Sequence, residues 1–308
     1  MIIGTLENEF ALVGFYAQAL EATLNPAMTH SSDFFIHFWG VRGSIPVPGN
    51  ETVRYGGNTS CIEMRVGGKR LIFDGGTGLR VLGKSMLKQM PVEAHMFFSH
   101  SHWDHIQGFP FFIPAFVPGN CFHIYGAIAP NGASMQKRLS DQMHHPNFPV
   151  PMQIMKSDMK FTDVIVGDVI ELDNIRIETG PLNHPNSAIG YRVTHNGKTV
   201  VYATDTEHYP DRIDEDLVHL ARDADVLIYD ACYTDEEYYD EKSPKIGWGH
   251  STWQEALKVV DAARVKKAVM FHHDPNHDDD FLDGIEAEVR SVFPNSLLAR
   301  EGMILPVE

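Results

Sequence analysis

The chain reads as an α/β protein, and three observations predict it. Short apolar runs rich in β-branched and aromatic residues recur along most of the chain and read as strands. Segments with apolar residues at helical spacing fall between them. The strand-like runs end repeatedly in His or Asp, as at Asp74, His100, Asp205, Asp230 and His272. Strand ends gathered at one edge of packed sheets are a natural place for a site, because a rigid scaffold holds the side chains there. At 308 residues the chain can form one large layered domain or two small ones.

Residues 1–33 are set apart. Phe10, Val13, Ala17, Leu20 and Leu24 recur at helical spacing and predict one amphipathic helix, an extension ahead of a main domain over residues 34–308. Its apolar face would pack on that domain or on a second subunit. The main domain opens with strands over 34–39, 61–66 and 69–73. The third runs into Asp74-Gly75-Gly76-Thr77-Gly78, whose glycines allow a tight turn. Leu79, Leu82 and Met86 then mark a helix, and a strand over 94–99 follows. Residues 106–160 are rich in Pro, Phe and Met. They read as loops over a site, with a strand at 122–125 and a helix near 134–143. Strands return between 161 and 193, with turn signals at Val166-Gly167-Asp168 and His195-Asn196-Gly197. Residues 199–203 form a strand ending at Thr204-Asp205-Thr206. A helix carrying Ile213, Leu217 and Leu220 leads to a strand over 226–229. After His250, Thr252 and Glu255 predict a capping box for a helix whose apolar face is Trp253, Ala256, Leu257 and Val260. The last main strand, 268–271, ends at His272-His273-Asp274.

The segment Ser99-His100-Ser101-His102-Trp103-Asp104-His105 carries the most chemistry. His100 and His102 are two apart and point the same way while the backbone stays extended. Asp104 and His105 lie just beyond, where the chain should turn. Imidazole nitrogen with carboxylate oxygen suits zinc, manganese or iron.

Composition bounds the rest. With 41 acidic and 25 basic residues the formal net charge is -16, so the chain should repel polyanions on average. This argues against a nucleic-acid binder held by a broad basic surface. Nothing in the sequence approaches the length of a membrane span. The three cysteines, Cys61, Cys121 and Cys232, are far apart and form no paired motif, which fits a reduced compartment. Glu7 and Glu9 interrupt the first apolar stretch and no basic residue precedes it, unlike a secretory signal. A cytoplasmic location is the expectation.

The motif His100-Ser101-His102-Trp103-Asp104-His105, followed in order by His184, Asp205 and His272 at strand ends, resembles the metallo-β-lactamase superfamily. The resemblance covers roughly residues 34–307. It implies a four-layered αβ/βα sandwich with a metal site at one edge of two facing sheets. Carried over residue by residue, it implies that His100, His102 and His184 hold one divalent ion. Asp104, His105 and His272 would hold a second, and Asp205 would bridge them. His272 shares a strand face with Met270, and the adjacent His273 is the alternative. Asp74 resembles the family residue that orients a ligand or anchors a loop. The ions would be zinc first, with manganese or iron as alternatives.

Within the superfamily, Gly249-His250-Ser251-Thr252 resembles the ribonuclease Z-like phosphodiesterases, in which a histidine so placed assists phosphate chemistry. Gly40-Val41-Arg42-Gly43-Ser44 and Tyr55-Gly56-Gly57-Asn58-Thr59-Ser60-Cys61 also look like that branch. This implies a phosphodiesterase in which water activated between two divalent ions attacks phosphorus. Asp104, Asp205 and His250 are the expected catalytic residues. Arg42 would contact a phosphate or brace a loop, and Asn58, Ser60 and His145 are further expected substrate contacts. Ribonuclease Z relatives recognise tRNA through a protruding basic arm, and no such arm is visible here. With the acidic net charge, this points to a small phosphodiester such as a cyclic nucleotide. Phe111, Phe112, Phe116, Phe148 and the His144-His145 pair would line its pocket or pack in the core. The alternatives are another hydrolase of the same fold, on a thioester, a lactam or a tRNA 3′ end, and a non-catalytic metal-bound sensor. A homodimer is expected from the relatives.

Overall fold

Two seven-stranded sheets, each half antiparallel and half parallel, face one another in the computed structural model, which describes residues 33–308. The predicted N-terminal helix with Phe10 through Leu24 lies outside the described residues. Strands β1 (Phe34–Gly40), β2 (Cys61–Val66), β3 (Lys69–Phe73), β4 (Glu93–Phe98), β5 (Cys121–Ala127), β6 (Asp158–Val164) and β14 (Ile304–Pro306) form the first sheet, in the order β14-β1-β2-β3-β4-β5-β6. Strands β7 (Val169–Leu172), β8 (Ile175–Leu182), β9 (Ala188–His195), β10 (Lys198–Ala203), β11 (Val226–Asp230), β12 (Ala268–Phe271) and β13 (Ser296–Leu298) form the second, in the order β13-β12-β11-β10-β9-β8-β7.

The sequence pattern explains each half. In β1 buried and half-buried residues alternate, as expected where only one face meets the deep core. Strands β11 and β12 are buried at every position, and both lie in the parallel half, where helices cover the outer face. Between the sheets sits a core with an aromatic centre: Phe73 stacks on Phe97 with centroids 5.2 Å apart, and both meet Tyr191 edge-on. Outside the second sheet, helices Glu215–Ala221, Trp253–Ala263 and Asp279–Val292 bury Leu217, Val260 and Leu282 against it. Helices Thr77–Met86 and Met135–Asp141 cover the outer face of the first sheet through Leu79, Leu82 and Leu139. The result is the four-layered sandwich the sequence implied.

The capping box expected at Thr252 and Glu255 is only half formed. Thr252 Oγ1 accepts from Glu255 N at 3.2 Å, but the Glu255 carboxylate pairs with Lys258 instead of reaching back. The reciprocal box is complete at Thr234 and Glu237, ahead of the short helix Asp235–Tyr238.

The parallel strands β3, β4 and β5 and β10, β11 and β12 all deliver their carboxyl ends to one edge of the sandwich. That edge is stitched across the sheets. Gly43 N donates to His273 O and His273 N donates to Val41 O, both at 3.0 Å, so the chain leaving β1 pairs with the chain leaving β12.

Candidate metal centre

Each residue of this edge is placed by a strand end or by the turn that follows it. Asp74 follows β3, His100 follows β4, Asp205 follows β10 and His272 follows β12. His184 lies in the turn between β8 and β9, and Asp104 and His105 lie in the single helical turn Trp103–Ile106. Asp74, Asp205 and His272 adopt left-handed backbone, with φ of 59°, 57° and 64°. That conformation is costly for residues with a Cβ and persists where the surroundings over-determine it. The His272 ring turns into the edge, while His273 turns into the interior and bonds Ala299 O at 2.9 Å. Gly249, at φ 87°, lies so close to His184 that a Cβ there would sit 2.3 Å from its Nδ1.

The side chains converge as two groups sharing Asp205. Donor atoms of His100, His102, His184 and Asp205 all lie within 4.8 Å of one another, and so do those of Asp104, His105, Asp205 and His272. In the first group His184 Nε2 is 3.0 Å from His102 Nδ1. In the second, His272 Nε2 is 3.2 Å from both Asp104 Oδ2 and Asp205 Oδ1.

Their other polar atoms are anchored. His105 Nδ1–H donates to Asp74 Oδ2 at 2.9 Å, and that oxygen also accepts from the Tyr202 and Ser99 hydroxyls, each at 2.8 Å. Asp74 Oδ1 accepts from Ser99 N at 2.8 Å, so Asp74 both orients His105 and fixes the turn after β4. His184 Nδ1–H donates to Gly249 O at 2.7 Å. Ser44 N donates to Asp104 Oδ2 at 2.8 Å.

Burial favours the neutral form of every group here. It prevails at His100, which is held well below the usual imidazole range. At Asp104 and Asp205 burial is overcome by the facing imidazoles, His105 foremost, and both carboxyls are held well below their usual range. At His105 burial is overcome by Asp205, Asp104 and Asp74, which raise it well above the usual value.

These donors suit divalent cations. Nδ1 of His105 and of His184 is committed to an acceptor, so Nε2 of each is the ring atom turned to the cluster, where a cation would take the place of its proton. His100 Nε2 is buried with no hydrogen-bond partner. Buried lone pairs converging beside two carboxylates are costly unless a Lewis acid satisfies them.

His250 stands over both groups. Its ring stacks on His272 with centroids 4.9 Å apart and approaches His184 at 5.3 Å. Its Nδ1–H donates to Asp230 Oδ2 at 2.8 Å. Burial alone would lower its pKa, but the Asp230 carboxylate outweighs burial and lifts it to about 9. Asp230 is the residue the sequence left without a role. Its only local signal is the same strand-end position that marks the other members.

The expected substrate contacts fall elsewhere. Arg42 is fully buried, and its guanidinium donates to the carbonyls of Gly56 (2.8 Å), Asp274 (3.0 Å) and His277 (2.6 Å). It braces loops and is not offered to a phosphate. The Asn58 side chain donates to Glu301 at 2.9 Å, and Ser60 is buried with its hydroxyl 3.4 Å from Arg42 O. Both belong to the same loop scaffold. His145 is exposed and Phe112 is fully buried in the outer core. Phe111, 54% exposed, meets Phe148 edge-on at 5.6 Å. Two exposed tryptophans adjoin cluster residues: Trp103, 77% exposed, between His102 and Asp104, and Trp248, 57% exposed, beside Gly249.

A family model described as a Beta-lactamase superfamily domain matches residues 69–273. A ribonuclease Z from Archaeoglobus fulgidus is 23% identical over 327 aligned positions, covering 89% of this chain and 98% of the relative. Among solved structures, the metallo-β-lactamase fold protein YhfI from Bacillus subtilis has a TM-score of 0.64 at 20% identity, covering 89% of this chain and 99% of that one. Human tRNase Z, short form, has a TM-score of 0.58 at 17% identity, covering 89% and 99%. At such identities the structures show the fold alone. The curated relatives named ribonuclease Z overturn the expectation of a small phosphodiester and of no broad nucleic-acid binding. Net charge is a sum over the whole chain, and several of its acidic residues, among them Asp74, Asp104, Asp205 and Asp230, are buried at this edge rather than spread on the surface. Among the described residues no helix is long and apolar enough to cross a membrane. The chain belongs to the metallo-β-lactamase superfamily and is a metal-dependent hydrolase.

Proposed function

We propose that this hydrolase cleaves RNA phosphodiesters in the manner of ribonuclease Z, with transfer RNA 3′ ends as the substrate class. The observation that carries the reading is His250, clamped by Asp230 and stacked over both donor groups. An imidazolium in that place suits a phosphoryl or leaving oxygen, and a thioester, whose thiolate leaves without a proton, has no comparable need of it. The ribonuclease Z relatives supply the substrate class. Exposed Trp103 and Trp248 beside the cluster suit stacking by unpaired bases.

In this reading His100, His102, His184 and Asp205 hold one divalent ion, and Asp104, His105, Asp205 and His272 hold the other, zinc first. Bound divalent ions supply Lewis-acid stabilisation of the phosphoryl group and acidify the attacking water. Asp74 fixes the tautomer and angle of His105. Asp205 belongs to both groups and holds them in register, and Asp104, fixed by Ser44 N, orients the water. His250, kept charged by Asp230, donates its Nε2 proton to the oxygen on which charge develops. Residues 34–308 form the hydrolase domain and residues 1–33 an extension to it.

The test is incubation of the zinc- or manganese-loaded chain with a transfer RNA precursor carrying a 3′ trailer, with a chelator control. Metal-dependent cleavage at the trailer junction is expected. Turnover of bis(p-nitrophenyl) phosphate with the precursor left intact, in protein shown to be loaded, would keep the hydrolase chemistry and overturn the RNA reading.

A further inference from the structure

At the other end of the first sheet, where β4, β5 and β6 begin, a second set of metal-type donors comes together. The three strands run parallel, and Glu93, Cys121 and Asp158 are paired in register across them. In-register residues of neighbouring strands present their side chains on one face about 4.8 Å apart. His123 lies two residues after Cys121 on the same strand and shares that face. Glu93, Cys121 and His123 each offer a donor atom within 4.8 Å of the others. His123 Nε2 is 2.9 Å from Glu93 Oε1 and 3.6 Å from Cys121 Sγ, and that sulfur is 3.8 Å from Asp158 Oδ2. The His123 ring is held from behind by His95, stacked on it with centroids 4.6 Å apart.

The geometry points to a second metal site here, formed by Cys121, His123 and Glu93 with Asp158 beside the sulfur, that takes one thiophilic divalent cation of the zinc class. Bond lengths of about 2.3 Å to sulfur and 2.05 Å to nitrogen at a tetrahedral angle put the two donors about 3.5 Å apart. The observed 3.6 Å between Cys121 Sγ and His123 Nε2 needs almost no movement. The donors sit on three paired strands, so the backbone has already met the cost of bringing them together. The competing occupant is Lys160, whose ammonium lies 3.3 Å from Asp158 Oδ2. Its side chain is 53% exposed and can swing into water when a cation arrives. Glu93 and Asp158 are also largely exposed, so their charges stay hydrated without metal, which makes this an exchangeable site. It is separate from the candidate centre, which lies at the opposite ends of the same strands.

Cobalt(II) titrated into the metal-stripped full-length chain tests this, because a thiolate ligand gives a near-ultraviolet charge-transfer band that histidine and carboxylate ligands do not. The band is expected in the wild-type chain, with one more cobalt bound per chain than in Cys121→Ser, which should lack the band. Groups that only orient a ligand cost roughly 10–100-fold in metal affinity when removed. His123→Gln and the exposed double variant Glu93→Gln with Asp158→Asn should therefore weaken the band's titration midpoint by at least that much. No band in the wild type would overturn the proposal. So would a band that persists in Cys121→Ser, or midpoints unchanged in the other variants. Because the double variant alters only exposed side chains, it keeps the test alive should Cys121→Ser fold poorly.

Discussion

Substituting Asp74 by Asn changes one atom of the centre's support without changing its shape. Asp74 is 1% exposed and accepts four hydrogen bonds: one at Oδ1 from Ser99 N, and three at Oδ2 from Ser99 Oγ, Tyr202 and His105. Asn tolerates the left-handed backbone at this position, so strain does not confuse the result. The better amide orientation keeps the oxygen where three donors converge and turns its NH₂ against Ser99 N. One bond is lost and a buried N–H is orphaned, at about 1–3 kcal/mol. The other three bonds lose their charge assistance, at roughly 0.5–1 kcal/mol each. Relief from burying a carboxylate offsets part of this, leaving a loss of about 2–4 kcal/mol. His105 becomes a poorer base at Nε2, so zinc affinity should fall roughly 10–100-fold. Urea unfolding of the metal-stripped chain and competition with a chromophoric chelator read the two effects separately. Tyr202→Phe, which removes a single donor, should lose about 1–2 kcal/mol by the same assay. An Asp74→Asn chain that unfolds within about 0.5 kcal/mol of the wild type and binds zinc equally well would refute the assigned role.

Three further outcomes are expected. His250→Ala should lower RNA turnover by roughly 10²–10⁴-fold while elemental analysis finds the metal content unchanged. Retained turnover would remove His250 from the chemistry. Arg42→Met leaves the carbonyls of Gly56, Asp274 and His277 without their donor and should cost about 2–4 kcal/mol in urea unfolding, with the KM for RNA unchanged. A raised KM at unaltered stability would return Arg42 to phosphate binding. His208 is held below the usual imidazole range by burial, despite Glu255, Asp235 and Glu207 drawing it upward, with Lys258 opposing them. It bonds the Ser251 hydroxyl at 3.0 Å and Tyr239 at 3.2 Å, with Tyr238 packed against its ring. Below about pH 6.5 the unfolded chain takes up a proton at this residue that the native chain refuses, so stability falls with pH from there down to the native value. His208→Gln should flatten that part of the unfolding midpoint against pH, and identical slopes in the two chains would contradict it.

Most strands of both sheets were legible because apolar periodicity is a local property, but the three-residue edge strands β13 and β14 are too short to show one and were not read. The His100–His105 motif was legible on the same local ground, since backbone geometry alone sets the spacing of its donors. What the sequence hid depends on residues far apart in the chain. The Asp230 partnership with His250 and the anchoring of Arg42 to His277, 235 residues away, exist only once β11 and β12 are paired and the chain after β1 crosses the edge. The sequence already favoured His272 over His273 through the face it shares with Met270, but no residue pattern announces the left-handed φ at His272. Net charge misled about the substrate for a related reason: it is additive along a sequence, but what a site attracts depends on where those charges lie in space. By itself the sequence determined which residue types reach the strand ends. The tertiary structure decided which of them face one another, because a contact's free energy depends on burial and angle that only the packed sheets supply.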